Sequence, residues 1–172
     1  MPILSSIGRN LKLNYFLANV PKDAHILEIG SGNNWLGEYL RAHGWPNYVG
    51  LDLVPGADVV GDIRAWKSLG LKPESFDAIF AFEVLEHVPC FQECFDLLKP
   101  GGLLMATSPV PHMDWLCQIL EALGLNQKRT SPHDYLIDFK DVPLFEPVQI
   151  KVVALFAQWG IFRKPLKSPA AL

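Results

Sequence analysis

The run Glu28-Ile29-Gly30-Ser31-Gly32-Asn33-Asn34-Trp35-Leu36-Gly37 places two closely spaced glycines behind a short apolar stretch and ahead of a helical pattern. Glycines there permit a sharp turn and close backbone approach, and the free amides of the following helix start suit a carboxylate or phosphate. Twenty residues after Gly32, Asp52 closes the next apolar run, where a carboxylate can accept both hydroxyls of a ribose. In Gly61-Asp62-Ile63 the acid could accept from an exocyclic amine while Ile63 packs on a base; taken alone, Asp62 reads as a helix N-cap. A dinucleotide fingerprint would need a third glycine at position 35, which is Trp35, so a pyrophosphate reading loses ground.

A second loaded stretch is Phe82-Glu83-Val84-Leu85-Glu86-His87. An imidazole with an unperturbed pKa of about 6.5 suits proton removal, which makes His87 a candidate catalytic base. The competing reading has His87 capping the next helix or packing, and Glu83 and Glu86 carry the same two readings. His87, Cys90 and Cys94 would share one face of a continuous helix as metal ligands, but Pro89 interrupts that geometry and free cysteines are commonly buried hydrophobes. No metal is expected.

The elements that must hold these residues alternate. Residues 5–19 space their apolar positions as a leading helix that Pro21 ends. Residues 24–29 read as a strand into the glycine turn, and 35–43 as the helix that leaves it. Strands follow over 47–53, 57–61 and 76–82, a helix over 63–69, and a further helix with Pro89 in its first turn. Lys99-Pro100-Gly101-Gly102 stops that helix before a buried strand at 103–107. Residues 114–123 read as one more helix, and 148–162 as two strands or a strand and a helix. The pattern predicts an α/β fold, a doubly wound and mostly parallel sheet with right-handed crossovers. Nine residues between Asp52 and Asp62 are too few for a helical crossover, so no helix is expected between the second and third strands.

The 172 residues suit one domain, read as 1–163 with a Pro-containing tail at 164–172. With 49% hydrophobic and 19% charged residues the chain can offset the entropy of folding. A net charge of −3 excludes the strongly basic balance of a nucleic-acid-binding domain, although residues 121–172 carry five acids against seven Lys or Arg. No apolar run approaches the length of a membrane span, no leader pattern precedes Pro2, and three cysteines make no disulfide framework; a cytoplasmic protein is expected. The mean hydropathy of +0.16 leaves room for an apolar substrate pocket or a subunit interface. Phe156, Trp159 and Phe162 fit either an outer strand or a homodimer face, and the stripe Trp115, Leu116, Ile119, Leu120, Leu123 fits core packing or an acceptor cover.

Leu27-Glu28-Ile29-Gly30-Ser31-Gly32, Asp52, Gly61-Asp62, Phe76-Asp77, Leu85-Glu86-His87-Val88 and Leu98-Lys99-Pro100-Gly101-Gly102 form an ordered set. Over about residues 24–108 the chain resembles the class I S-adenosylmethionine-dependent methyltransferases, in their small Rossmann-like branch. The resemblance implies S-adenosylmethionine as cofactor, with Gly30, Ser31 and Gly32 against its methionine half and Glu28 buried behind the loop. It implies Asp52 and Leu53 at the ribose, Asp62 and Ile63 at the adenine, and Phe82 or Glu83 offering a backbone contact to the amino group. It also implies an antiparallel last strand drawn from 148–162. Ser131-Pro132-His133-Asp134-Tyr135 is similar to a segment of small methyltransferases that lines the acceptor pocket, although Leu136-Ile137 replaces the usual Trp-Arg; Pro132-His133-Asp134 equally suits an ordinary helix start. Many relatives carry glycine where this chain has Asn34, which suggests a loop that is wider or partly closed by the side-chain amide. The expected function is methyl transfer to a small-molecule or lipid-like acceptor by in-line displacement; the alternative is a non-catalytic subunit that keeps the cofactor fold.

Overall fold

The computed structural model describes residues 3–111 and 135–166. Helix α1 (Ile3–Phe16) runs into a short 3-10 turn and precedes β1 (Ile26–Ile29), whose four residues are all buried, as a strand covered on both faces requires. Then come α2 (Trp35–Ala42), β2 (Tyr48–Asp52), the two-residue β3 (Val59–Val60), β4 (Phe76–Phe82), α3 (Phe91–Leu97), β5 (Leu98–Pro109), β6 (Glu146–Val153) and β7 (Ala157–Arg163). They form one sheet in the order β3-β2-β1-β4-β5-β7-β6. The first five strands are mutually parallel, and β7 enters antiparallel between β5 and β6. The doubly wound sheet and its antiparallel last strand are as expected, and 148–162 resolves into two strands.

No helix lies between β2 and β3, as the nine-residue spacing requires. The connection leaves Leu53 and Val54 exposed just after Asp52. Alternate strand residues feed two apolar layers. Leu27, Ile29, Ile79 and Ala81 pack with Leu85, Phe91 and Phe162 on one face; Ile26, Phe80, Met105 and Trp159 pack with Phe16, Leu36 and Leu40 on the other. Trp159 and Phe162 are therefore interior residues of this chain, which corrects their reading as a homodimer face.

Two helix expectations are corrected. Over 63–69 only Ile63–Ala65 forms a 3-10 helix, and bonds three residues apart continue it as tight turns, from Trp66 N to Ile63 O and from Leu69 N to Trp66 O. Pro89 stands before α3, whose N-cap is Cys90, because a turn bonded from His87 N and Val88 N to Val84 O uses the preceding residues. Lys99–Gly102 is not the stop between helix and strand: α3 already ends at Leu97 and these residues lie within β5, where Leu98 pairs with Phe76 and a register shift carries the strand on to Leu103 opposite Ala78. At that end of the sheet Asp77 accepts from Lys99 Nζ at 2.7 and 2.8 Å and from His25 N at 2.8 Å. Lys164, with which the tail is expected to begin, is buried and donates to Leu98 O at 2.8 Å and Glu74 at 3.1 Å. The expected helix at 114–123 lies outside the described residues.

Candidate active site

At the carboxyl end of β1 the chain turns through Gly30 (φ 75°) and Gly32 (φ 51°), conformations that disfavour a Cβ. A Cβ on Gly30 would also come within 2.6 Å of Val84 Cγ2, so the loop lies directly on the turn after β4. Asn34, the residue where many relatives have glycine, takes the left-handed conformation at the start of α2 (φ 58°), which asparagine tolerates better than most residues. Its side chain turns to β2, where Tyr48 Oη lies 3.2 Å from Asn34 Oδ1.

Tyr48 is also hydrogen-bonded to Glu28, which is 2% exposed. Burial raises the Glu28 pKa to about 8 despite the lowering effect of the Tyr48 hydrogen bond, and the nearby Asp52 carboxylate adds to the rise. A protonated Glu28 can donate to the Tyr48 oxygen while the Tyr48 hydroxyl donates to Asn34, so one chain of hydrogen bonds satisfies all three groups. Burial and the facing Glu28 likewise raise Tyr48 far above its ordinary value, keeping it a phenol.

Asp52 Oδ2 accepts from Gly32 N at 2.7 Å and Oδ1 from Val54 N at 3.2 Å. These bonds draw the glycine loop and the carboxylate to one edge, and each oxygen retains a lone pair for a ligand hydroxyl. Asp62 caps its 3-10 turn by accepting from Arg64 N at 2.9 Å and is held by the Arg64 guanidinium at 2.5 Å, which keeps its carboxyl below the usual range. The N-cap reading thus holds for Asp62, and Ile63 beside it is buried in the core.

Sequence reasoning passed over the residue that organises the other half of the site. Lys12, from α1, donates to Glu83 Oε1 at 3.2 Å and Thr107 Oγ1 at 3.3 Å and sits 5.1 Å from the Phe82 ring centroid. Its signal was available: Lys12 lies one turn before Phe16, which is 1% exposed, so a charge stands on the buried side of an amphipathic helix. Phe82 also stacks on Trp35 with centroids 6.5 Å apart, and Arg9 covers Trp35 at 4.9 Å. The residue that spoils a dinucleotide fingerprint thereby forms an aromatic wall beneath α1.

Glu83 has φ 56°, a strained conformation for a side-chain-bearing residue, at the tip of β4. Desolvation would raise its pKa, but Lys12 and the Thr107 hydrogen bond of 2.7 Å outweigh this and hold it below the usual range. Glu86, three residues on, is 1% exposed, and burial together with charged Glu83 lifts it to about 9. Two carboxyls of opposite protonation state therefore lie side by side at neutral pH.

His87 is half-buried in the same turn, its amide bonded to Val84 O at 2.9 Å. Cys90 and Cys94 are free and buried, and among the described residues no group of three His, Cys, Asp or Glu could hold a metal. Tyr135 is exposed, and its amide donates to Glu86 O at 3.0 Å. His133 and Asp134 lie outside the described residues.

A mostly parallel sheet in this order, with a glycine turn after β1 and a carboxylate after β2 on one edge, is that of a doubly wound α/β protein, a class whose ligands sit beyond the carboxyl ends of the strands. The chain belongs to the methyltransferase-domain family, whose model matches residues 9–153. A ubiquinone biosynthesis O-methyltransferase of Xylella fastidiosa is 32% identical over 117 residues, covering 57% of this chain and 47% of the relative. The chain thus spans about half the length of the curated relatives it matches. Among solved structures, the N-methyltransferase NodS from Bradyrhizobium japonicum WM9 superposes with a TM-score of 0.63 at 18% identity, covering 93% of this chain and 97% of that one. Phosphoethanolamine N-methyltransferase 2 of Haemonchus contortus, solved with S-adenosyl-L-methionine, gives a TM-score of 0.64 at 14% identity and covers 92% of this chain and 52% of that one. Among the described residues no helix is long and apolar enough to cross a membrane.

Proposed function

We propose that this chain transfers a methyl group from S-adenosylmethionine to a small-molecule or lipid-like acceptor. The observation that carries the reading is the 2.7 Å bond from Gly32 N to Asp52, which joins the glycine loop and the ribose-seeking carboxylate in one cradle. The cradle fits the cofactor chemically. In the glycine loop the Ser31 hydroxyl is buried without a hydrogen-bond partner among the described residues, a polar group left for a ligand. Lys12 and Glu83 form a cation–anion pair complementary to an amino acid head group, with Lys12 taking the α-carboxylate and Glu83 the α-ammonium. Asp52 would hold the ribose hydroxyls beside Leu53, and Asp62 and Ile63 would border the base.

Bound there, the cofactor supplies an activated methyl on a sulfonium. The chain's residues then align the acceptor and exclude water. Phe82 and Trp35 provide the apolar wall for that exclusion, and His133, Asp134 and Tyr135 would line the acceptor side. The curated relatives are named as O-methyltransferases, which supports an oxygen nucleophile here. For a weakly acidic hydroxyl, His87 is the candidate base.

Titration calorimetry with S-adenosylmethionine and S-adenosylhomocysteine tests the reading. Binding is expected to both, and no heat with either at high micromolar ligand would overturn it. Once an acceptor is found, His87→Ala should cost ~10²-fold or more in the rate at limiting acceptor. A loss below tenfold with an unchanged Tm would make His87 structural.

A further inference from the structure

Resting on that reading, we infer that Tyr48 is a positioning residue for the cofactor loop, and that its one hydroxyl hydrogen makes the hold on the cofactor depend on the protonation of Glu28. Tyr48 Oη is hydrogen-bonded to Glu28 on one side and lies 3.2 Å from Asn34 Oδ1 on the other. The hydroxyl thus has two acceptors and one hydrogen. While Glu28 is a neutral acid, its own O–H donates to the phenol oxygen and the phenol hydrogen goes to Asn34. When Glu28 gives its proton to solvent, the carboxylate can only accept, so the phenol hydrogen turns to it and Asn34 loses this donor.

Asn34 holds the turn that carries Ser31 and Gly32. Its amide donates to Ser31 O at 2.8 Å and its carbonyl oxygen accepts from Glu38 N at 3.0 Å, so it joins the loop to the first turn of α2. It does so at φ 58°, a left-handed conformation that costs a residue with a Cβ about 1 kcal/mol and that a side-chain hydrogen bond helps to offset. The phenol reaches directly beneath this turn. A Cβ on Gly50 would stand 2.8 Å from Tyr48 Oη and 3.1 Å from Ser31 Oγ, so the two oxygens converge on the side of β2 that this glycine leaves bare. A Cβ on Gly37 would overlap both Asn34 Oδ1 and the Tyr48 ring, so α2 admits their contact only with glycine there.

The charged groups that face Glu28 are Asp52, at the end of β2, and Lys12 from α1; those that face Tyr48 are Asp58, before β3, and Arg41 from α2. Arg41 and Asp58 are paired at 2.6 Å, and Lys12 is engaged by Glu83 at 3.2 Å. Burial is the largest influence on Glu28 and, against the Tyr48 hydrogen bond and Lys12, raises its titration to about 8. The cofactor therefore meets a tethered loop below that pH and an untethered one above it, and its affinity falls as pH rises through about 8.

The test is calorimetric titration of the full chain with S-adenosylhomocysteine from about pH 6.5 to about pH 9.5, a range that brackets the Glu28 titration. The sulfur of this probe is neutral, and titration of its own ammonium is common to every variant, so comparison between proteins isolates Glu28. Glu28→Gln cannot ionise, and its amide can donate to Tyr48 at every pH. Relative to that variant, the parent's affinity should fall about fivefold across the range, the equivalent of one neutral hydrogen bond. Asn34→Gly keeps the left-handed backbone and removes the acceptor; it should bind about fivefold more weakly than the parent at the acid end and equally at the alkaline end. A constant ratio of parent to Glu28→Gln, or an Asn34→Gly defect that does not shrink as pH rises, would overturn the inference. Should Glu28→Gln fail to fold, the Asn34→Gly comparison decides alone. Absence of S-adenosylhomocysteine binding to the parent at every pH defeats the cofactor reading itself.

Discussion

Glu28 couples protonation to stability. Its folded pKa of about 8 lies above the ordinary carboxylate value, so the native state holds a proton that the unfolded chain releases. Its stabilising contribution is complete below the ordinary value and is lost as pH rises through about 8, at no more than about 1.4 kcal/mol per pH unit. Glu28→Gln should therefore flatten the pH dependence of Tm between pH 5 and 8, and identical slopes in the two proteins would refute the protonated Glu28–Tyr48–Asn34 chain. Lys12 makes a second residue-scale prediction. Lys12→Met should weaken S-adenosylhomocysteine by about tenfold or more, the magnitude of a hydrogen bond to a charged group, with Asp52→Ala costing a similar amount. The glycines and Asp52 were legible because their positions at strand ends follow from alternation alone. Lys12 showed only as a charge on the buried side of α1 and the role of Tyr48 not at all, since each acts through a partner that only the tertiary fold brings near, Glu83 from 71 residues away and Glu28 from 20.

Among the elements, the turn after β4 and the loop after β1 behave as one unit because Gly30 lies on Val84. Gly30→Ala should cost both stability, by about 1–3 kcal/mol, and cofactor affinity, since left-handed strain adds to the overlap. Adding Val84→Ala should recover the part due to overlap, so strictly additive Tm changes in the double variant would show that the two elements are not in contact. The alternation of strand and helix was readable from β1 through β5, and the short Asp52–Asp62 spacing correctly removed a helix. The reading of 63–69 failed because apolar Ile63, Trp66 and Leu69 recur every three residues, a spacing that serves a 3-10 series as well as an α-helix. The strands at 146–163 were ambiguous because β7 is buried and near-continuously apolar at its end while β6 is exposed, so neither alternates cleanly.

For the molecule as a whole, the sheet's two edges differ in length. β3 contributes two residues, whereas β6 presents eight that are mostly exposed, Val148 and Val152 among them. A long apolar edge is a template for pairing with another chain, and this one carries the features that discourage it. Pro147 lacks an amide to donate, a register shift between Pro147 and Gln149 twists the ladder, and Glu146 and Lys151 place charge along the strand. β6 is thus where resistance to aggregation is concentrated. Replacing Lys151 and Pro147 by valine should leave Tm within about a degree or two yet raise light scattering on storage, as a surface change away from the core does little to folding but unguards an edge.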